Sequence, residues 1–527
     1  MKRRTFLQTV GAGAVLPFML QGFSVRAFSG QPEFYNALAD VACEDRVLVL
    51  IQLVGGNDGL NTVIPIDQYA QYYAARPTLA VDEKSILKIT DSVGLHPNLS
   101  GINNLYKEGK VCIVQNVGYP SPDFSHFRST DIWLTASDSD KVVTSGWLGR
   151  WLDTQYPGFP KGYPKGSVTH PVAIQIGNIV STSLASETAN TGIAFNEPNN
   201  YSNIVNFGNS SATNTQFQYQ VSFIRETGLQ IQNFAKPVMD AANKTQSKST
   251  LYPTKGNNLL ADQLRIVAQL IAGGLKTRIY IVTQPGYDTH ASQNTIRQGN
   301  PHTHPNLLLQ LSEAVTAFQD DIQLLGIADK VTGITISEFG RRIQENANLG
   351  TDHGAAAPLF VFGTNVTGGI IGSNPVIPAT VTLRDNVAMT YDFRSVYASL
   401  LHDWLCVPQQ DIQNVLYKNF PLLPIIKGST ASSVNDTDTK QQSSVSCTCT
   451  PNPVSNNCQI TIVSDETPTK LSLYNNIGKE IEVVLEKTLP KGNLTIQYAT
   501  QHLQSGNYYW RIQTARTQHV IPMVVFR

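Results

Sequence analysis

The chain of 527 residues is longer than one hydrophobic core usually organises, so we expect at least two folding units. Lysine plus arginine equals aspartate plus glutamate at 39 each. This balance removes any general electrostatic attraction to nucleic acid or to an anionic membrane, and it favours small or uncharged partners.

Residues 1–27 have the pattern of an export signal. Arg3 and Arg4 precede an apolar run that ends near Leu20, and this arrangement resembles a twin-arginine signal peptide cleaved after Ala27. The run is too short to cross a bilayer as a permanent helix. We therefore expect the twin-arginine translocase as an export partner and no retained transmembrane segment. The alternative is a membrane anchor that stays attached.

Short, β-branched apolar runs bounded by glycine or polar residues predict buried strands. They are Val47 to Val54, Val111 to Val117, Val172 to Ile176, Arg278 to Thr283, Ile334 to Ser337 and Leu359 to Phe362. Between them, apolar residues at helical spacing from Leu260 to Ile271 and from Leu308 to Leu325 predict amphipathic helices. This alternation predicts a doubly wound, mostly parallel α/β sheet over residues 46–427, in which ligands lie beyond the carboxyl ends of the strands.

Two stretches interrupt this pattern. Residues 156–254 are rich in Asn, Gly, Ser, Thr and Gln, which indicates a loop-rich insertion over one end of the sheet. Residues 428–449 have the composition of a flexible linker. A domain boundary is therefore predicted there.

Residues 450–527 contain short β-like runs separated by turns, which predict a small all-β sandwich. The runs are Gln459 to Val463, Leu471 to Tyr474, Ile481 to Leu485, Leu494 to Ile496 and Tyr508 to Ile512. Thr450 to Val454, Leu473 to Lys479 and Gly506 to Tyr509 resemble the type A sorting domain of the type IX secretion system. That resemblance implies an origin in Bacteroidota and transport through the periplasm to the cell surface or the medium. The alternative is a carbohydrate-binding or immunoglobulin-like module.

The six cysteines are unevenly distributed. Cys43, Cys112 and Cys406 are isolated, whereas Cys447, Cys449 and Cys458 cluster near the tail. In an oxidising compartment, one bridge from Cys458 to Cys447 or Cys449 is feasible.

Acidic and histidine residues follow several of the predicted strands. They are Asp58, Asp288 and His290, Glu338 with Arg341, and Asp352 with His353, while His302 and His304 precede a predicted helix. Carboxylates and imidazoles brought to one sheet edge form the mixed oxygen and nitrogen site that divalent ions require. Taken singly, each motif also fits an ordinary turn, ion pair or helix cap.

The span from Arg46 to about Pro408 resembles the domain of unknown function 1501 family, which is placed in the alkaline phosphatase and sulfatase superfamily. The motifs that carry the resemblance are Gly55-Gly56-Asn57-Asp58-Gly59, Ser125-His126-Phe127, Gly286-Tyr287-Asp288-Thr289-His290, Ser337-Glu338-Phe339-Gly340-Arg341 and Gly350-Thr351-Asp352-His353-Gly354. The resemblance implies an alkaline phosphatase-like sheet with two metal ions that stabilise a phosphoryl or sulfuryl group in transit.

Carried over by position, the resemblance makes Asp58 the metal aspartate of the first strand. Asp288, with His290 or His304, would bind the other ion, and Asp352 with His353 would form the superfamily's Asp-His pair. A competing alignment puts Glu338 in place of that aspartate and leaves His353 as the last histidine.

Ser125 holds the position of the nucleophile, with Ser129 and Thr62 as alternatives. Arg128 and Arg341 are expected to grip an anionic oxygen through their planar guanidinium groups. The short spacing from Asp288 to His290 and the lack of a sulfatase-type Cys-x-Pro-x-Arg motif depart from well-characterised relatives.

The sequence thus predicts an exported hydrolase of phosphate or sulfate esters that depends on zinc, manganese or calcium. Its substrate would be a small anionic ester or glycan. The alternative is a non-catalytic surface protein that uses the same fold to bind glycan, matrix or a protein partner. A third interpretation gives the metal a purely stabilising role.

Overall fold

The computed structural model describes residues 15–20, 23–28, 43, 45–187, 189–198, 233–295, 303–429, 446–451, 454–464, 468–475, 480–490, 492–514 and 518–525. The chain divides into two compact units, Met1–Ser432 and Ser433–Arg527. The twin-arginine motif and His302 lie outside the described residues. Within the predicted signal peptide, β1 (Val15–Leu20) and β2 (Phe23–Phe28) pair as an antiparallel hairpin. No helix among the described residues is long and apolar enough to cross a membrane.

A nine-stranded sheet organises the first unit, in the order β13-β7-β12-β11-β3-β10-β8-β9, with β14 paired to β7. The strands are β3 (Val47–Val54), β7 (Val111–Gly118), β8 (Ala173–Ile176), β9 (Gly192–Phe195), β10 (Ile279–Pro285), β11 (Val331–Ile336), β12 (Ala357–Phe362), β13 (Gly369–Ile371) and β14 (Tyr391–Asp392). A smaller sheet joins β4 (Val63–Pro65), β5 (Leu87–Lys88) and β6 (Val93–Leu95). Within the large sheet, β12 alone runs antiparallel to its neighbours.

Helices cover the sheet and bury its central strands. They are α1 (Gly59–Thr62), α2 (Tyr69–Ala75), α3 (Ser100–Lys107), α4 (His126–Thr135), α5 (Trp147–Gln155), α6 (Leu259–Ala272), α7 (His304–Leu324), α8 (Phe393–Ser399) and α9 (Gln409–Leu416), and residues 233–244 are also helical. Every residue of β7 is buried, which explains why this strand is apolar rather than alternating. Asn258 and Thr303 start α6 and α7 as N-caps, each accepting a backbone N–H with its side-chain oxygen.

The prediction of a mostly parallel α/β sheet followed by a small all-β unit is confirmed, and two details differ. The antiparallel direction of β12 is not predicted, because a short apolar run carries no sign of its direction. The strand β9 lies inside the segment predicted as a loop-rich insertion. It has four residues and begins with Gly192, so its sequence signal is weak.

Seven strands build the second unit as two antiparallel sheets, ordered β15-β16-β19 and β18-β17-β20-β21. Their bounds are β15 (Ser446–Thr450), β16 (Asn457–Ser464), β17 (Pro468–Asn475), β18 (Glu480–Thr488), β19 (Gly492–Ala499), β20 (Gly506–Thr514) and β21 (Gln518–Val525). The core includes the fully buried Leu471, Leu473 and Trp510. The strand β15 falls in the predicted linker because Ser-Cys-Thr-Cys-Thr lacks large apolar residues, and β21 is not among the predicted strands.

A disulfide joins Cys43 to Cys406 across 363 residues of sequence. Both cysteines are isolated in the sequence, and only the fold brings the segment before β3 close to the segment after α8. Among the described residues, Cys112, Cys449 and Cys458 are free thiols. The bridge fits the oxidising compartment that export implies.

We expect the double replacement of Cys43 and Cys406 by Ser to lower the free energy of unfolding by about 2–5 kcal/mol, because the bridge restricts a very long loop in the unfolded chain. Urea unfolding of the oxidised protein measures the loss. Wild type treated with reductant should match the variant, and Cys112→Ala should keep its sensitivity to reductant. Equal stability of the oxidised and reduced wild type would contradict the prediction.

Candidate metal centre

Five loops meet at one edge of the large sheet. They follow the carboxyl ends of β3, β7, β10 and β11, and the fifth precedes the amino end of β12. Because β12 runs opposite to the others, the residues before it reach the same edge as the residues after its neighbours. The fold therefore brings together motifs that lie more than 200 residues apart in sequence.

At this edge, three imidazoles surround one carboxylate oxygen. The Nε2 atoms of His126, His290 and His353 lie 3.4, 3.2 and 3.3 Å from Asp288 Oδ1. Ligand atoms placed about 2.1 Å from a tetrahedral zinc ion lie roughly 3.4 Å from one another. In His126, Asp288 and His353, one ligand atom from each side chain lies within 4.8 Å of the other two. These separations suit a divalent ion.

In each of the three rings, the other nitrogen, Nδ1, makes a hydrogen bond outside the cluster. His126 Nδ1 donates to Glu338 Oε1 at 2.9 Å, and His290 Nδ1 donates to Asp352 Oδ1 at 3.0 Å. His353 Nδ1 donates to the backbone oxygen of Phe124 at 2.7 Å. With Nδ1 as the donor to these outer partners, Nε2 of each ring points into the cluster, as in metal-binding histidines held by outer partners.

The inward nitrogens lack partners that would satisfy them. His126 Nε2 is buried and makes no hydrogen bond. His290 Nε2 and His353 Nε2 lie 2.8 Å apart, so in these tautomers two lone pairs face each other. A cation between them would turn that repulsion into two bonds. The residues present therefore fit a metal ion.

Arg341 ties the cluster to the surrounding loops. Its fully buried guanidinium donates to backbone oxygens of Gly55, Gly56, Tyr287 and Thr351, and to Asp288 Oδ1 at 2.8 Å. The sequence predicts that Arg341 grips a substrate anion. With no exposed surface and its donors committed, Arg341 instead positions the carboxylate of Asp288.

These contacts change the titration of the cluster residues. Partial burial raises the pKa of Asp288, but the hydrogen bond and the charge of Arg341 outweigh burial, so the pKa lies below its usual value. The hydrogen bond to Glu338 raises the pKa of His126, whereas burial lowers the pKa of His353. The carboxylate of Asp288 is therefore favoured in its ionised form.

Close backbone approach explains the glycines of two motifs. Gly55 has φ +122°, and a Cβ there would lie 2.3 Å from the backbone nitrogen of Asp288. A Cβ on Gly354 would lie 2.3 Å from the carbonyl carbon of Arg341. Larger residues would push the loops apart, and the cluster depends on their packing.

Asp58 does not join the cluster. Arg76 Nη1 donates to both carboxylate oxygens at 2.7 and 2.6 Å, and Gln293 Nε2 donates to Oδ2 at 2.6 Å. Burial raises the pKa of Asp58, but the charges of Arg76 and His304 and the hydrogen bonds outweigh it, so the net shift is downward. The role predicted for Asp58 as a metal ligand is not supported by this geometry.

Three other predicted ligands lie behind the cluster or away from it. Glu338 and Asp352 hold His126 and His290 from behind, so they act on the ligands rather than as ligands. His304 is fully buried, and its Nε2 donates to Asn57 Oδ1 at 3.0 Å. Of the two partners predicted for Asp288, the structure brings His290 to it.

Three of the predicted nucleophile and anion-binding residues, Ser125, Ser129 and Arg128, lie at the start of α4, whereas Thr62 lies in α1. Ser125 is the exposed N-cap of α4 and does not use its hydroxyl as a cap. Ser129 and Thr62 are buried with their hydroxyls in hydrogen bonds. Arg128 Nη2 donates to backbone oxygens of Asp138, Ser139 and Lys141, so this group does not face the cluster.

His126 is the residue of this cluster that the sequence analysis does not predict. The Ser125-His126-Phe127 motif is recognisable from sequence, but its serine is the expected nucleophile. The motif therefore predicts a role for Ser125 and none for His126. The available signal is the position of His126 soon after β7, in line with the other histidines at strand ends.

The chain belongs to the family described as "Protein of unknown function (DUF1501)", which matches residues 45–422. Residues 449–525 match the "Secretion system C-terminal sorting domain". The second unit is thus a type IX sorting domain, which marks the protein for export to the cell surface or extracellular space. No curated protein matches the chain.

Two of the similar solved structures match most of the chain, and a third matches a short part of it. A protein in the alkaline phosphatase superfamily from Vibrio parahaemolyticus is 10% identical, covering 90% of this chain and 82% of that chain, with a TM-score of 0.32. The PsFucS1 sulfatase from Pseudoalteromonas sp. is 9% identical, covering 89% and 88%, with a TM-score of 0.34. PorZ from Porphyromonas gingivalis, a surface component of the type IX secretion system, is 13% identical with a TM-score of 0.12. The match covers 15% of this chain and 11% of PorZ.

Burial of two histidines beneath the site predicts a stability that depends on pH. Burial lowers the pKa of His304 to about 3 and that of His96 to about 4. In the unfolded chain both are near 6.5, so below that pH the unfolded state binds more protons. Stability is therefore full above pH 6.5 and falls as the pH drops toward the folded-state values.

Wild type should lose stability when the pH falls from 7.5 to 5. We expect this loss to be about 2 kcal/mol smaller in His304→Gln, because glutamine takes up no proton when the chain unfolds. Urea unfolding of metal-free wild type and variant at both pH values gives the difference. His402→Gln, at a partly exposed ring, serves as the control and should leave the loss unchanged. An identical loss in wild type and His304→Gln would contradict the prediction.

Proposed function

We propose that the first unit is a metal-dependent hydrolase of phosphate or sulfate esters, with one divalent ion held by His126, His290, His353 and Asp288. The observation that carries this proposal is the convergence of the Nε2 atoms of three histidines on one carboxylate oxygen, Asp288 Oδ1. When bound, such an ion supplies Lewis-acid polarisation of an ester oxygen and lowers the pKa of bound water.

The side chains leave room for a substrate. The ligand atoms of His126, Asp288 and His353 all lie within 4.8 Å of one another, and His290 would complete a tetrahedral shell as a fourth ligand. With that shell filled, catalysis needs a further coordination position. The side chain of Asp288 is 48% exposed and that of His290 is 42% exposed, so solvent reaches this side of the cluster. A water molecule or an ester oxygen can approach from there.

Ser125 is the nucleophile in this proposal. It is the residue before His126, its hydroxyl does not cap α4, and it is open to solvent. The first turn of α4 directs backbone N–H groups toward the same end, where they favour an anionic group. Arg341 is fully buried, and Arg128 Nη2 donates to backbone oxygens, so in this proposal these N–H groups replace the predicted arginine grip.

Export gives the proposed enzyme its location. The sorting domain directs it to the surface or the medium, and we propose that the segment with Arg3 and Arg4 first takes it across the inner membrane by the twin-arginine translocase. That route carries folded proteins, so the ion can be loaded before export.

Metal analysis with turnover tests the proposal. We expect purified protein to retain zinc, manganese or calcium and to hydrolyse an aryl phosphate or aryl sulfate. Asp288→Asn should lose both properties. Asp45→Asn, at an exposed pair with Lys330, should keep both. Absence of bound metal together with absence of turnover in each added ion would defeat the proposal.

The closed set of four ligands also favours a second candidate, a stabilising metal site in a non-catalytic surface protein. Its outcome is distinct: the metal is retained and its removal lowers the melting temperature, while neither ester is turned over.

The carboxylates behind the histidines give a separate prediction. We expect Glu338→Gln and Asp352→Asn each to raise the metal dissociation constant about 10–100-fold, because they orient His126 and His290. Competition with a chromogenic chelator measures the constant, and Asp45→Asn is again the control. Unchanged affinity in both variants would show that the histidines are not held as described.

A further inference from the structure

We propose that this unit binds one divalent ion per chain, because a buried arginine occupies the carboxylate that the second ion of a two-metal site would need. This inference rests on the proposed function and deepens it. The resemblance to the alkaline phosphatase superfamily assigns Asp58 to a metal, and the residues around Asp58 do not fit one.

The carboxylate of Asp58 is fully committed. Arg76 Nη1 lies 2.7 Å from Oδ1 and 2.6 Å from Oδ2, and Gln293 Nε2 donates to Oδ2 from another direction. The side chains of Arg76 and Asp58 both have no exposed surface. A divalent ion on these oxygens would lie against a guanidinium, with no solvent between the two charges.

Further hydrogen bonds hold the guanidinium of Arg76 in this position. Its Nε donates to the backbone oxygen of Ile343 at 2.7 Å and its Nη2 to that of Arg342 at 2.6 Å. Asn61 Oδ1 accepts from Arg76 Nη1 at 3.0 Å and from the hydroxyl of Tyr72 at 2.8 Å. Releasing the guanidinium would leave buried carbonyl oxygens without donors, so the cation is built into the fold.

Few other ligand atoms are near Asp58. His304 Nδ1 is buried without a partner, but it is one neutral nitrogen, and the Nε2 of the same ring is bonded to Asn57. A stable divalent site usually takes three or more ligands from protein. Arg76 thus neutralises Asp58 permanently, where a two-metal enzyme would use an exchangeable ion.

The test counts ions. The full chain is equilibrated in turn with excess zinc, manganese or calcium, and unbound metal is removed. Metal is then measured by inductively coupled plasma mass spectrometry and protein by amino-acid analysis. We expect about one ion per chain in wild type, about one in Asp58→Asn and almost none in Asp288→Asn.

Two ions per wild-type chain would overturn the inference, and loss of only the second in Asp58→Asn would place it at Asp58. No ion in wild type would instead defeat the proposed function, so the two failures are distinguishable. If Asp58→Asn fails to fold, calorimetric titration of metal-free wild type decides the question by its stoichiometry alone.

Discussion

The site depends on one buried cation, the guanidinium of Arg341. It joins the loop after β3, the loop after β10 and the segment before β12 by donating to their backbone oxygens, and its remaining contact fixes Asp288. These oxygens would otherwise be buried without donors, which costs about 1–3 kcal/mol for each group. The hydrogen bonds that hold the loops together therefore also set the position of Asp288 in the cluster.

At this sheet edge, two buried arginines, Arg341 and Arg76, each pair with an aspartate. Arg341 holds a carboxylate that remains half exposed, whereas Arg76 encloses a carboxylate that has no exposed surface. The same pair of residue types thus gives a functional ligand in one case and a structural ion pair in the other. Solvent access decides between the two, because an ion can exchange only where water reaches its ligands.

Much of this architecture can be predicted from sequence. Buried parallel strands appear as apolar runs, and the motifs that follow them must meet at one edge, so Asp288, His290 and His353 are identifiable from their positions along the chain. Ligand roles are harder to predict, because Asp58 and Asp288 both follow strands and only packing shows that Arg76 reaches one and Arg341 the other. The role of His126 depends on the direction of its ring, which the sequence does not encode.

The bond between Cys43 and Cys406 closes almost the whole first unit into a covalent ring. A protease that cuts any loop inside this ring leaves both pieces attached, and the sheet can hold them in register. A protein released among extracellular proteases thus tolerates a first cleavage without losing part of its chain.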